Sequence, residues 1–207
     1  MLMKLYMTPG SCSTGIHILL EELDQLFEVY IVNLLAGEQY SSGYRAINPK
    51  STIPTLIRND GKPLTEFQTI AYWLARSNPK ANLLPKELDN EVRILETMDY
   101  VVGTIHMQGF ARIFNTAEFT PNESDHEAVK KRGAEIIDKG FEVINNILDN
   151  KNYISDEFSI ADAALFYVEF WADKTNLIMP KNCLSHYHNM LKRPAVYRVL
   201  REEGYQI

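Results

Sequence analysis

The chain has 207 residues, 45% hydrophobic and 23% charged, which suits one or two globular domains and excludes a disordered or fibrous protein. Its net charge of −6 excludes a general nucleic-acid binder, which needs a basic face. Two cysteines, Cys12 and Cys183, imply a reducing compartment rather than a disulfide scaffold.

A short apolar run (Leu2, Leu5, Tyr6) stops at Pro9-Gly10, and Ile16, Leu19, Leu20 and Leu23 then recur at the spacing of an amphipathic helix. Cys12 therefore lies where a strand turns into a helix. Helix N–H groups and the helix dipole favour a thiolate or a bound anion there. The other reading of Cys12 is a small buried hydrophobe. Residues 27–35 are rich in β-branched and aromatic side chains and read as a second strand, completing a βαβ unit with a parallel pair. Residues 37–48 are polar and turn-prone, with room for one short helix. Pro54 interrupts a strand-like segment, which requires an edge, a bulge or a cis bond. Asn59-Asp60-Gly61 marks a hairpin turn between residues 55–58 and 62–64. Thr65 reads as the N-cap of a helix whose apolar face is Phe67, Ile70, Ala71 and Leu74.

A connector bearing Pro79 and Pro85 then changes the texture of the chain. The expected organisation is a first domain over residues 1–79, a linker over 80–88 and an all-helical domain over 89–207. Long helices are expected over residues 91–114 and 125–148, the second with Ile137, Phe141, Ile144 and Leu148 in register. Ser159 and Asp162 have the spacing of a capping box, opening a helix with Ile160, Ala163, Ala164, Tyr167, Val168 and Trp171 on one face. Pro180 and Pro194 punctuate two short closing helices. Cys183 and His186 share a helix face but His188 does not join them, and no fourth ligand is near in sequence, so no metal is expected. No apolar run suits a signal core or a membrane span, which makes the cytoplasm the expected compartment.

This order of elements resembles the cytosolic glutathione transferases, and Pro9-Gly10-Ser11-Cys12-Ser13 is close to the bacterial beta-class pattern Pro-Gly-Ala-Cys-Ser. Asn48-Pro49-Lys50, Ile53-Pro54, Leu64-Thr65-Glu66, His106-Met107-Gln108-Gly109-Phe110 and the Ser159–Asp162 box follow in the matching order, so the resemblance spans essentially the whole chain. It implies an α/β thioredoxin-like βαβ-ββα domain followed by an all-α helical bundle. It also implies glutathione as co-substrate, no metal, and a homodimer. Cys12 and His106 would be catalytic, His106 being directed across the domain cleft at Cys12. Ser11, Thr52, Ile53, Pro54, Glu66, Phe67, Asp99 and Gly103 would bind glutathione. Within that set, the Ile53 backbone before a cis-Pro54 pairs with the extended tripeptide as an added strand. Glu66 takes the γ-glutamyl ammonium, and the N–H of Phe67 takes the γ-glutamyl carboxylate. Asp99, two turns from His106 on one helix face with Gly103 between, or a neighbour on the same helix, would reach the glutathione of the other subunit. Tyr6 falls one residue early for the tyrosine of other transferase classes and reads as core.

Three positions depart from the family pattern: Phe67 replaces a small residue or serine, Gly37 replaces a lysine, and Ser51 replaces a glycine. The backbone contacts to glutathione survive these changes, whereas charged and hydroxyl contacts are lost. The resemblance implies either conjugation of glutathione to a small hydrophobic electrophile or glutathione-dependent thiol–disulfide exchange. The alternative is a non-catalytic protein that keeps the fold as an interaction or ligand-binding surface. Neither nucleic acid nor membrane is an expected partner.

Overall fold

The computed structural model describes residues 1–206. The chain divides into two compact units, one made of Met1–Leu84 together with the residues from Lys192 onward, the other of Pro85–Leu191.

In the first unit, β1 (Met3–Met7) alternates as a half-buried strand must, with Met3, Leu5 and Met7 in the core. Tyr6 is on the other face, half-buried against Tyr30 and Tyr44, so it is not part of that core. The sheet order is β2-β1-β3-β4. The expected βαβ unit is present: β1 and β2 (Phe27–Ile31) are parallel and joined through α1 (Ser13–Glu22). β2 ends at Ile31 rather than at residue 35, because Asn33 opens a turn. Its N–H donates to Glu38 and its side chain accepts from the Ala36 N–H. The short helix expected in the following stretch is α2 (Ser42–Ile47). The hairpin also forms, with β3 (Thr55–Ile57) antiparallel to both β1 and β4 (Pro63–Thr65). Gly61 closes its turn at φ +79°, a left-handed value that glycine adopts without steric cost.

Thr65 is not the cap of the next helix. It ends β4, and Glu66 is the N-cap of α3 (Phe67–Ser77) with φ +70° and ψ 127°. Strand gives way to helix at this single residue, which takes up the whole change of direction. α1 is buried all along Ser13–Leu20 rather than on one face, since α3 packs on it and so does α9 (Pro194–Glu202), a segment distant in sequence. The Arg193 guanidinium forks onto Glu22 at 2.7 and 2.8 Å, and Arg198 donates to Glu21 at 2.6 Å, tying the chain's last helix to α1.

In the second unit, the long helix expected over residues 91–114 is present in three segments. α4 (Leu88–Tyr100) runs into a π-helical segment (Val101–Phe110) and then α5 (Ala111–Phe114). α6 (His126–Ile147) packs on the π segment with its Ile137, Phe141 and Ile144 fully buried. The two approach so closely that a Cβ on Gly133 would stand 2.8 Å from the Gly109 carbonyl oxygen. α7 (Ile160–Lys174) is buried on every side from Ile160 to Ala172, not on one face, because Leu165, Phe166 and Phe170 fill its remaining sides. The Ser159–Asp162 capping box opens it as expected. α8 (Lys181–Leu191) follows, and among the described residues no strand occurs after Thr65.

Candidate active site

The loop between β1 and α1 is held by its own hydroxyls. Ser13 Oγ accepts from the Thr8 N–H at 3.1 Å and donates to the Thr8 carbonyl at 3.2 Å, while Ser11 Oγ lies 2.5 Å from Ser13 Oγ. Ser13 is fully buried, so its hydroxyl shapes the loop and is not presented to a ligand. This turn leaves Cys12 at the start of α1, where its thiol donates to the Ile53 carbonyl at 3.7 Å.

Ile53 and Pro54 are joined by a cis peptide bond. The segment is fixed from beneath by Asn48, whose Nδ2 donates to the Thr52 carbonyl at 2.8 Å and to Thr55 Oγ1 at 3.0 Å. Tyr44 OH donates to the same Thr52 carbonyl at 2.7 Å. The Ile53 N–H has no hydrogen-bond partner among the described residues. Glu66 is exposed and pairs with Lys50 at 2.6 Å. Its positive φ is rare for a residue with a side chain and costs on the order of 1–3 kcal/mol. The Phe67 side chain turns into the core alongside Ile70 and Leu74.

Burial pushes the Cys12 thiol up to about 12, outweighing the backbone N–H groups of Cys12 and Ser13 that favour the thiolate. The Glu66 carboxylate acts in the same direction as burial. The thiolate expected from the helix N-terminus is therefore corrected: desolvation wins over the dipole. Alkylation of Cys12 by iodoacetamide, followed by peptide mass spectrometry, should be slow at neutral pH and rise by about tenfold per pH unit into the alkaline range. A rate that levels off near neutrality would show a thiolate instead.

In the second unit, Asp99 and Gly103 are exposed on α4 and the π segment, and His106 is half-buried on the latter. His106 Nδ1 is 3.2 Å from Tyr167 OH, and its ring meets Trp171 edge-on with centroids 4.8 Å apart. Burial lowers its pKa to about 4, so the imidazole is neutral near pH 7. The shared face expected for Asp99 and His106 assumes an α register. The π turns between them advance less per residue and direct His106 toward α7 while Asp99 faces solvent.

One residue of this first-unit site was not found from sequence. Glu203, just past α9, buries its carboxylate to accept from the Gly10 N–H at 2.8 Å, Thr14 Oγ1 at 2.7 Å and His17 Nδ1 at 3.0 Å. It anchors the Pro9-Gly10 turn that presents Cys12. No spacing rule connects position 203 with position 10.

The chain is 33% identical over 207 residues to Glutathione S-transferase GstA of Escherichia coli O157:H7, covering 98% of this chain and 99% of that protein. The chain belongs to the glutathione S-transferase family. The family description "Glutathione S-transferase, N-terminal domain" matches residues 10–77, which carry Cys12, Ile53 and Glu66. A Sulfitobacter glutathione transferase homologue with bound glutathione has the same fold at TM-score 0.89 and 25% identity, covering 97% of this chain and 98% of that one. A beta-class glutathione S-transferase of Sphingomonas chungbukensis matches at TM-score 0.82 and 26% identity over 97% of this chain and 98% of its own. Within this glutathione S-transferase, the departure at Ser51 has a clear backbone meaning. Ser51 adopts φ +59°, the left-handed region in which the family's glycine is at ease.

Proposed function

We propose that this protein is a homodimeric, beta-like glutathione transferase of the cytoplasm that adds the glutathione thiolate to small hydrophobic electrophiles. The observation that carries this reading is the meeting of the Cys12 thiol with the backbone of Ile53, whose N–H has no partner among the described residues. A strand-like peptide bound along Ile53 brings its own sulfur beside Cys12. Thr52 and Pro54 flank that strand position, and Ser11 borders the thiol. Glu66, with the N-terminal turn of α3 beginning at Phe67, offers complementary groups to an ammonium and a carboxylate.

Because Cys12 stays protonated, it serves as a hydrogen-bond donor to the glutathione thiolate rather than as the attacking group. In the conjugation step the glutathione sulfur forms the new bond to carbon and the leaving group departs with the bond's electron pair. Exchange through a Cys12–glutathione disulfide needs the Cys12 thiolate, which burial opposes, so conjugation is favoured. The neutral His106 donates to or accepts from the second substrate, and Asp99 with Gly103 adds to the glutathione site of the partner copy.

Calorimetric titration with glutathione tests this directly. Wild-type protein should bind, and Glu66→Ala should lose roughly 1.5–3 kcal/mol of binding, about ten- to a hundredfold. The same substitution removes only the exposed Lys50 pair from the fold, worth about 0–1 kcal/mol, so its melting midpoint should barely move. Absence of glutathione binding to the wild type would sink the assignment, and unchanged affinity in Glu66→Ala would remove Glu66 from the site.

A further inference from the structure

Within the first unit, α1 and the end of α9 bring His17, Glu21 and Glu202 together, with ligand atoms from all three within 4.8 Å of one another. His17 is the unusual member. Its side chain is 3% exposed, and its ring packs edge-on against Phe27. Nδ1 faces the Glu203 carboxylate at 3.0 Å, and a carboxylate oxygen accepts, so Nδ1 carries a hydrogen. In the neutral ring this tautomer leaves a lone pair on Nε2. That nitrogen is buried and has no hydrogen-bond partner among the described residues, though Glu202 Oε2 stands 3.4 Å away. A buried polar atom left without a partner is costly and calls for an explanation.

We infer that His17 Nε2, Glu21 and Glu202 form a binding site for a divalent transition cation, with Zn2+ the best match. One imidazole nitrogen and two carboxylates are a zinc-type donor set, whereas calcium and magnesium favour oxygen ligands alone. The Glu203 contact to Nδ1 is the carboxylate–histidine arrangement that orients a metal-binding imidazole. Glu202 is half exposed, which gives the cation a route from solvent, and solvent water completes the coordination. Glu21 also pairs with Arg198 and shares its carboxylate between the two cations. The bound ion would staple the last helix onto α1, under the loop that carries Cys12.

The opposing reading is an imidazolium bridging Glu202 and Glu203, which has no lone pair to offer a metal. Cobalt(II) titration of the full-length, chelator-treated protein at neutral pH separates the two. The expected result is one equivalent of Co2+ giving visible d–d bands that Zn2+ abolishes. Glu202→Gln, a change at an exposed side chain that leaves the fold intact, should weaken the binding by roughly tenfold or more, and His17→Gln should remove it. Cys12→Ser should leave the bands unchanged, with no thiolate-to-cobalt charge transfer in the wild type. Zn2+ should also raise the melting midpoint of the wild type and not that of Glu202→Gln. Failure to bind Co2+, or binding of equal strength in Glu202→Gln, or binding lost only in Cys12→Ser, would each overturn the site.

Discussion

Glu203→Ala should destabilise the protein by about 3–5 kcal/mol, because one side chain supplies the acceptor for three donors. The Glu203 side chain is only 2% exposed and satisfies three donors at once: the Gly10 N–H, the Thr14 hydroxyl and His17 Nδ1. Without it, the buried Thr14 hydroxyl and His17 ring and the half-buried Gly10 N–H lose their acceptor, at about 1–3 kcal/mol for each buried group before relaxation. Urea unfolding of wild type, Glu203→Ala and Glu203→Gln in metal-free buffer gives the comparison. Glu203→Gln keeps one carbonyl acceptor and should fall between the other two. Cys12 alkylation should also accelerate in Glu203→Ala, because the Gly10 anchor of its loop is gone. A loss of stability below about 1 kcal/mol would mean that water replaces the carboxylate freely and that the anchor is not structural.

His186→Gln should destabilise the second unit by a comparable amount, and with a pH signature. His186 lies fully buried between Glu169, 2.8 Å from Nδ1, and Asp162, 3.1 Å from Nε2. Burial disfavours its charged form, but the charge of Glu169 and the hydrogen bonds to Asp162 and Glu169 outweigh that and raise its pKa to about 10. Removing the ring leaves two carboxyl groups close together in the core, a loss of about 3–5 kcal/mol. The stabilisation is complete below the ordinary histidine value of 6.5 and disappears as pH rises through about 10. Burial raises Glu169 from 4.5 to about 7, so its ionisation on folding costs stability in the same direction over a lower window. The urea midpoint of the wild type should therefore fall as pH rises from 6.5 toward 10, and that fall should flatten in His186→Gln. Parallel profiles for the two proteins would show that His186 is neutral in the native state.

Much of the fold was legible because it is written in near-neighbour chemistry. Pro9-Gly10, Asn59-Asp60-Gly61 and the Ser159–Asp162 box act over a few residues, and each forms its turn or cap in the structure. The misreadings are also instructive. Thr65 has the chemistry of a cap, but its pairing with Thr55 keeps it in β4 and passes the cap to Glu66. Helix periodicity assigned one apolar face to α1 and α7, yet both are enclosed, since a pattern of side chains says which faces are apolar and not how many neighbours arrive.

By itself, the sequence determined the order of strands and helices and the family, and it singled out Cys12, Ile53 and Glu66. Spacing and turn residues carry that information locally. Only the tertiary structure decided the chemical state of the site. Cys12 stays a thiol and His106 a neutral imidazole because atoms from distant parts of the chain remove water from them, and desolvation outweighs the helix dipole that the local sequence supplies. Only the tertiary structure, likewise, returned Glu203 to Gly10 and buried His17 Nε2 beside Glu202 with no hydrogen-bond partner among the described residues. Those contacts join positions nearly the whole chain apart, and no local pattern encodes a meeting that depends on how helices pack.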